Sequence, residues 1–178
     1  MKSGFRADLL KGIDAFRSFF GHDPVGYRAP LGKITRNQME ILNSEGFVFD
    51  SSVFPSYRPG VYNNMRKPVT PYHPIVGSEF TEYPVAVSSP FRIPVAQSYL
   101  KLFGYPYRNY LQRVSLPKPM IFVSHLHDFF PTDAHQYRGS LMSKIHKRNI
   151  DKSPEILEEF AAGMVDKGWE FTKMSYCK

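Results

Sequence analysis

The sequence holds one cysteine, Cys177, beside the C-terminus, and that scarcity removes two architectures at once. No internal disulfide framework can form, and no cysteine-based zinc site can be built. Long apolar runs are missing as well, since no stretch approaches the roughly 20 apolar residues of a membrane-spanning helix. Met1 to Arg6 leads into a charged amphipathic segment instead of a secretory leader, so the chain reads as cytoplasmic. There is no glycine-rich phosphate loop, no nucleophile elbow and no cysteine–histidine pair of a thiol enzyme. Internal repeats and low-complexity segments are absent too.

What is present is globular in composition: 178 residues, 42% hydrophobic and 22% charged. That length predicts a single domain over residues 1–178 with its own core, and it is short for a complete α/β barrel. The net charge of +7 would attract polyanions. The basic residues are scattered, however, with only Lys144, Lys147, Arg148 and Lys152 near one another, and no nucleic-acid motif organises them.

Phe5, Leu9, Ile13, Phe16 and Phe20 recur at helical spacing and predict an amphipathic helix that Gly21 can end. Val25 to Tyr27 reads as a short strand delivering Arg28-Ala29-Pro30 to its C-terminal end. Thr35 with Gln38 forms a capping box ahead of Met39, Ile41 and Leu42, and Phe47 to Asp50 is the next strand. Prolines 55, 59, 68, 71 and 74 make residues 51–78 a long loop, and its tyrosines favour a functional one. Strands are then predicted at Glu82–Val87, Met120–Ser124 and Trp169–Met174, with helices at Val95–Phe103, Tyr107–Val114 and Ser153–Lys167. Ser153 is read as the N-cap of the last helix and Pro154 as its first residue. This alternation predicts an α/β fold with a largely parallel sheet, where sites gather beyond the strand C-termini.

Three residues occupy such positions. Arg28 presents a planar fork of donors suited to a carboxylate or anion. Asp50, followed by Ser51 and Ser52, can cap a turn locally or reach across to an arginine, and the local cap is the simpler reading. His125 opens the stretch His125-Leu126-His127-Asp128, where a histidine after an apolar strand suits acid–base work near neutral pH. On a continuing strand, His125 and His127 would share a face while Asp128 pointed to the other. Two or three ligands so close in sequence make an incomplete zinc site, and no metal ligand is assigned. His22, His73, His135 and His146 are isolated and read as surface or loop residues.

Taken in order, Gly26-Tyr27-Arg28-Ala29-Pro30, Leu42 to Phe47, Phe49-Asp50-Ser51-Ser52-Val53-Phe54-Pro55, Glu82-Tyr83-Pro84-Val85 and Ile121-Phe122-Val123-Ser124-His125 resemble successive blocks of the polysaccharide deacetylase (NodB-homology) family. The resemblance spans about Phe5 to Tyr176. It implies a partial (β/α) barrel with the first strands missing. It also implies descent from metal-dependent hydrolases that remove N-acetyl groups from carbohydrates, with a zinc ion activating water. By the same resemblance, Arg28 orients the catalytic base, Asp50 is its acidic partner, and His125 protonates the leaving amine. Ile121 and Val123 would line the pocket for the acetyl methyl. Pro30, Tyr57 and Tyr62 complete the substrate-binding set, with Tyr72, Tyr105, Tyr107 and Phe129 as further stacking surfaces.

Two family motifs do not occur in this sequence: Thr-Phe-Asp-Asp-Gly and His-Ser-x-x-His, which carry the metal ligands and the base. The resemblance therefore implies a truncated or split relative, with no cofactor held by this chain alone and hydrolysis absent from it. A complementing chain, or a homo-oligomer covering the incomplete sheet, is expected. The alternatives are a carbohydrate-binding module without catalysis and, last, a basic nucleic-acid binder using Tyr105, Tyr107, Arg108, Tyr110 and Arg113.

Overall fold

The computed structural model describes residues 2–132 and 140–176; Cys177 and His135 lie outside them, as does the side chain of His146. The chain divides into two compact units, Met1–Pro84 and Val85–Lys178. The class is mixed α/β, with six α-helices among the described residues and small sheets that do not close into a barrel.

In the first unit, α1 (Lys2–Phe20) turns Leu9 and Ile13 inward, as the three-and-four spacing requires. β1 (Gly26–Tyr27) follows. α2 (Arg36–Ser44) starts at the predicted capping box: the Thr35 hydroxyl accepts from the Gln38 amide at 3.3 Å, and Gln38 Oε1 accepts from the Thr35 amide at 2.8 Å. β2 (Phe49–Asp50) comes next. The proline-rich loop is not wholly irregular, because β3 (Tyr57–Arg58) and β4 (Tyr62–Asn63) pair antiparallel across a turn in which Gly60 has φ 70°. β5 (Thr81–Glu82) returns to the main sheet, whose order is β1-β2-β5 and whose pairs are both parallel. Leu9, Ile13, Met39, Leu42, Phe47, Val53 and Phe80 form the core beneath it. Gly26 sits opposite Phe49 in the ladder, and a Cβ there would run into the Phe49 ring.

The second unit begins with β6 (Val87–Ser88) and β7 (Ile93–Pro94), an antiparallel pair. α3 (Gln97–Phe103) and α4 (Tyr105–Leu111) meet at Gly104, whose φ of 67° lets the chain turn between them. α5 (Ser140–Lys147) was not foreseen from the sequence. α6 (Ser153–Val165) is capped by Lys152, one residue before the expected Ser153. Val95, Leu100, Tyr107, Leu111, Ile156, Phe160 and Met164 make a separate core.

Two expected strands change character here. Residues 120–124 contribute only isolated parallel bridges, Ile121 to Val85 and Val123 to Ala96, so alternate residues pair and no continuous strand forms. Residues 169–173 are irregular and lead into a 3-10 turn at Met174–Tyr176. Trp169 packs on the core while Phe171 is 80% exposed, so the apolar alternation there does not bury one face.

Candidate functional site

Parallel pairing in the first unit sets Asp50 opposite Glu82, which places two carboxyl groups side by side on adjacent strands. Both residues are fully buried. The Asp50 carboxylate caps the turn that follows it, accepting from the Ser52 hydroxyl at 2.7 Å and the Ser52 amide at 3.3 Å. The Ser52 oxygen in turn accepts from the Ala29 amide at 2.7 Å. Glu82 Oε1 accepts from the Val53 amide at 2.9 Å, whereas Oε2 is buried and receives no hydrogen bond.

Burial raises the proton affinity of both carboxyls. For Glu82 the neighbouring Asp50 adds to it, whereas Asp50 is partly relieved by its hydrogen bonds from Glu82 and Ser52. The pair accordingly holds a proton well above the ordinary carboxylate range. Protonation gives Glu82 a proton to donate, which suits a buried oxygen that no donor reaches.

Arg28 stands just beyond β1 and reaches the end of β2 through Ser51, not through Asp50. Its Nε donates to the Ser51 carbonyl and a terminal nitrogen donates to the Ser51 hydroxyl, each at 2.7 Å. That hydroxyl donates to the Tyr83 carbonyl at 2.8 Å. Desolvation lowers the proton affinity of the guanidinium, opposed by the charges of Asp50 and Glu82. The side chain is therefore anchored at a strand end. Ser51 and Ser52 spend their hydroxyl protons on fixed acceptors, so neither is placed as an activated nucleophile. Pro30 lies in the exposed 3-10 turn that follows Arg28. Tyr62 stacks on Phe54 with ring centroids 5.7 Å apart, while Tyr57 is 57% exposed on the same hairpin.

His125 belongs to the second unit. Ile121 and Val123, on the segment leading to it, are buried. That segment ends at His125, which caps a 3-10 turn at Leu126–Asp128: Asp128 Oδ2 accepts from the His125 amide at 3.0 Å. The turn overrides the strand geometry expected from sequence. His125 and His127 stack with centroids 4.9 Å apart, and with Asp128 they offer ligand atoms within 4.8 Å of one another.

This set does not suit a catalytic zinc ion. One Asp128 oxygen is committed to the His125 amide, and the other lies 3.7 Å from the ammonium of the buried Lys101, which would repel a cation. Lys101 also donates to the His127 carbonyl at 3.3 Å. Asp128 is thus the counter-ion of a buried lysine, and no chemical step is assigned through a metal at this place.

Glu82 and Lys101 were not selected from sequence. Glu82 carried a signal, since it is an acid opening an apolar strand; Lys101 carried none, because a lysine in a short amphipathic helix ordinarily faces water. Protein-family models, curated proteins and solved structures provide no match to this chain.

Proposed function

We propose that the chain is a polysaccharide deacetylase-like module, a partial (β/α) barrel of that type, which holds an acetylated glycan and does not hydrolyse it alone. The observation that carries this reading is the parallel register that sets the Arg28, Asp50 and Glu82 blocks together at strand C-termini, where such folds keep their sites. In the first unit Arg28 would orient a polar group of the ligand and Pro30, Tyr57 and Tyr62 would contact the sugar; in the second, His125 would be the proton donor of a complete enzyme, with Ile121 and Val123 as the acetyl-side contacts. A catalytic zinc takes about three protein ligands plus water, and the sequence offers neither the family's triad nor its base. A carbohydrate-binding role without turnover follows from the same residues. The scatter of basic residues leaves nucleic-acid binding the weaker reading.

Chito-oligosaccharides should bind the purified chain in a calorimetric titration, with no acetate released even with added zinc. Failure to bind at millimolar ligand would remove the reading. Zinc-dependent acetate release that His125→Ala abolishes would instead show an active enzyme.

The same proposal places the protein in the cytoplasm and in an assembly, either with itself or with a chain carrying the missing motifs. No helix among the described residues is long and apolar enough to cross a membrane. β1 pairs on one side only among the described residues, and an open edge of this kind is ordinarily covered. Light scattering at micromolar concentration should return at least a dimer, and a monomer would count against self-assembly.

A further inference from the structure

A cavity of about 500 Å³ lies wholly within the first unit, between the start of α2 and the segment from β4 to Pro74. Its size falls in the range of small-ligand sites. Lys33, Arg36 and Lys67 line it together with Asn64, Tyr62 and Tyr72, and no aspartate or glutamate lines it. A concave site bearing charge of one sign concentrates the opposite sign.

Two of these cations, Lys33 and Arg36, are not consumed by the fold. Glu40, one turn further along α2, takes only Nε of Arg36 at 3.3 Å, and its terminal nitrogens have no protein partner among the described residues. The Lys33 ammonium has none among them either. Gly32 keeps one wall thin: its φ is 65°, and a Cβ there would come within 2.9 Å of the Ser52 carbonyl. Aromatic rings beside a guanidinium fork suit a sugar that carries a carboxylate, since the ring faces take the apolar face of the sugar and the fork takes both carboxylate oxygens.

We propose that this cavity is a subsite for a carboxylate-bearing oligosaccharide. The inference rests on the glycan-binding reading above and adds to it the charge of the ligand.

The test titrates the full chain with trigalacturonate, with the neutral trigalactoside of equal length, and with a trinucleotide, at low and high salt. Trigalacturonate should bind at least ten-fold more tightly than the neutral sugar at low salt, with the advantage shrinking as salt is added. The Lys33→Gln/Arg36→Gln variant should bring the two sugars within about two-fold of each other. Both side chains are exposed, and an unchanged melting temperature would show that the variant folds; Lys33→Glu, which removes the same net charge at one position, should also weaken trigalacturonate. Equal affinity for the two sugars, or an advantage that survives in the double variant, overturns the proposal while leaving glycan binding intact. Tighter binding of the trinucleotide, lost in the same variant, overturns it in favour of nucleic acid. If neither sugar binds, the subsite proposal fails, while the chito-oligosaccharide titration alone decides the glycan-binding reading.

Discussion

Raising the pH from the ordinary carboxylate range through neutrality should steadily destabilise the protein, and Glu82→Gln should remove most of that dependence. The direction follows from proton counting. Burial raises the proton affinity of Glu82 and Asp50 in the folded chain, so between the unfolded and folded values the native state binds more protons than the unfolded one. Stability is then fully present at acid pH and lost as pH rises, with a slope of up to about 1.4 kcal/mol per pH unit for each proton so held. Glutamine keeps an acceptor for the Val53 amide and offers a permanent N–H donor where the protonated acid would donate to Asp50. Urea unfolding at several pH values between 5 and 8, on both proteins, measures the difference directly. Parallel slopes would show that Glu82 is ionised in the folded state.

A second large effect is expected at Asp128. Side chains of Lys101 and Asp128 are 3% and 1% exposed, and Asp128→Ala would leave the ammonium buried without its counter-ion. Breaking such a pair from one side typically costs about 3–5 kcal/mol, whereas replacing both charges with apolar groups is often nearly neutral. The double variant Lys101→Met/Asp128→Ala should therefore recover part of the loss. Asp128→Asn separates the two roles of the residue, because it keeps an acceptor for the His125 amide and removes only the charge. Thermal unfolding of these variants together with the single Lys101→Met closes the cycle, and single and double changes that add without coupling would dismiss the ion pair as a source of stability.

Much of the local architecture could be read from spacing. Helices at Lys2–Phe20 and Arg36–Ser44, the capping box at Thr35 and the strands before Arg28 and at Asp50 follow from periodicity and turn chemistry. The misreadings come from long-range effects. Residues 169–173 have an alternating pattern, but a strand needs a neighbour, and Phe171 points to solvent. His127 and Asp128 were placed on opposite faces because an extended backbone was assumed; the carboxylate of Asp128 itself closes the turn by taking the His125 amide. Glu82 joins Asp50 only through a register between segments 32 residues apart, which no local pattern announces. Arg28 reached Ser51 instead of Asp50 because the aspartate was already engaged by Ser52.

The opposed carboxyls of β2 and β5 also limit how this sequence can drift. If β5 slipped by one residue, Asp50 would face Thr81 or Tyr83, and Glu82 would leave the shared face. Each acid is tolerable in its buried place because the other can share a proton with it, so a change at one alters the fitness of every residue at the other. Positions 50 and 82 are thus tied: losing one acid leaves the other buried without the group that shares its proton.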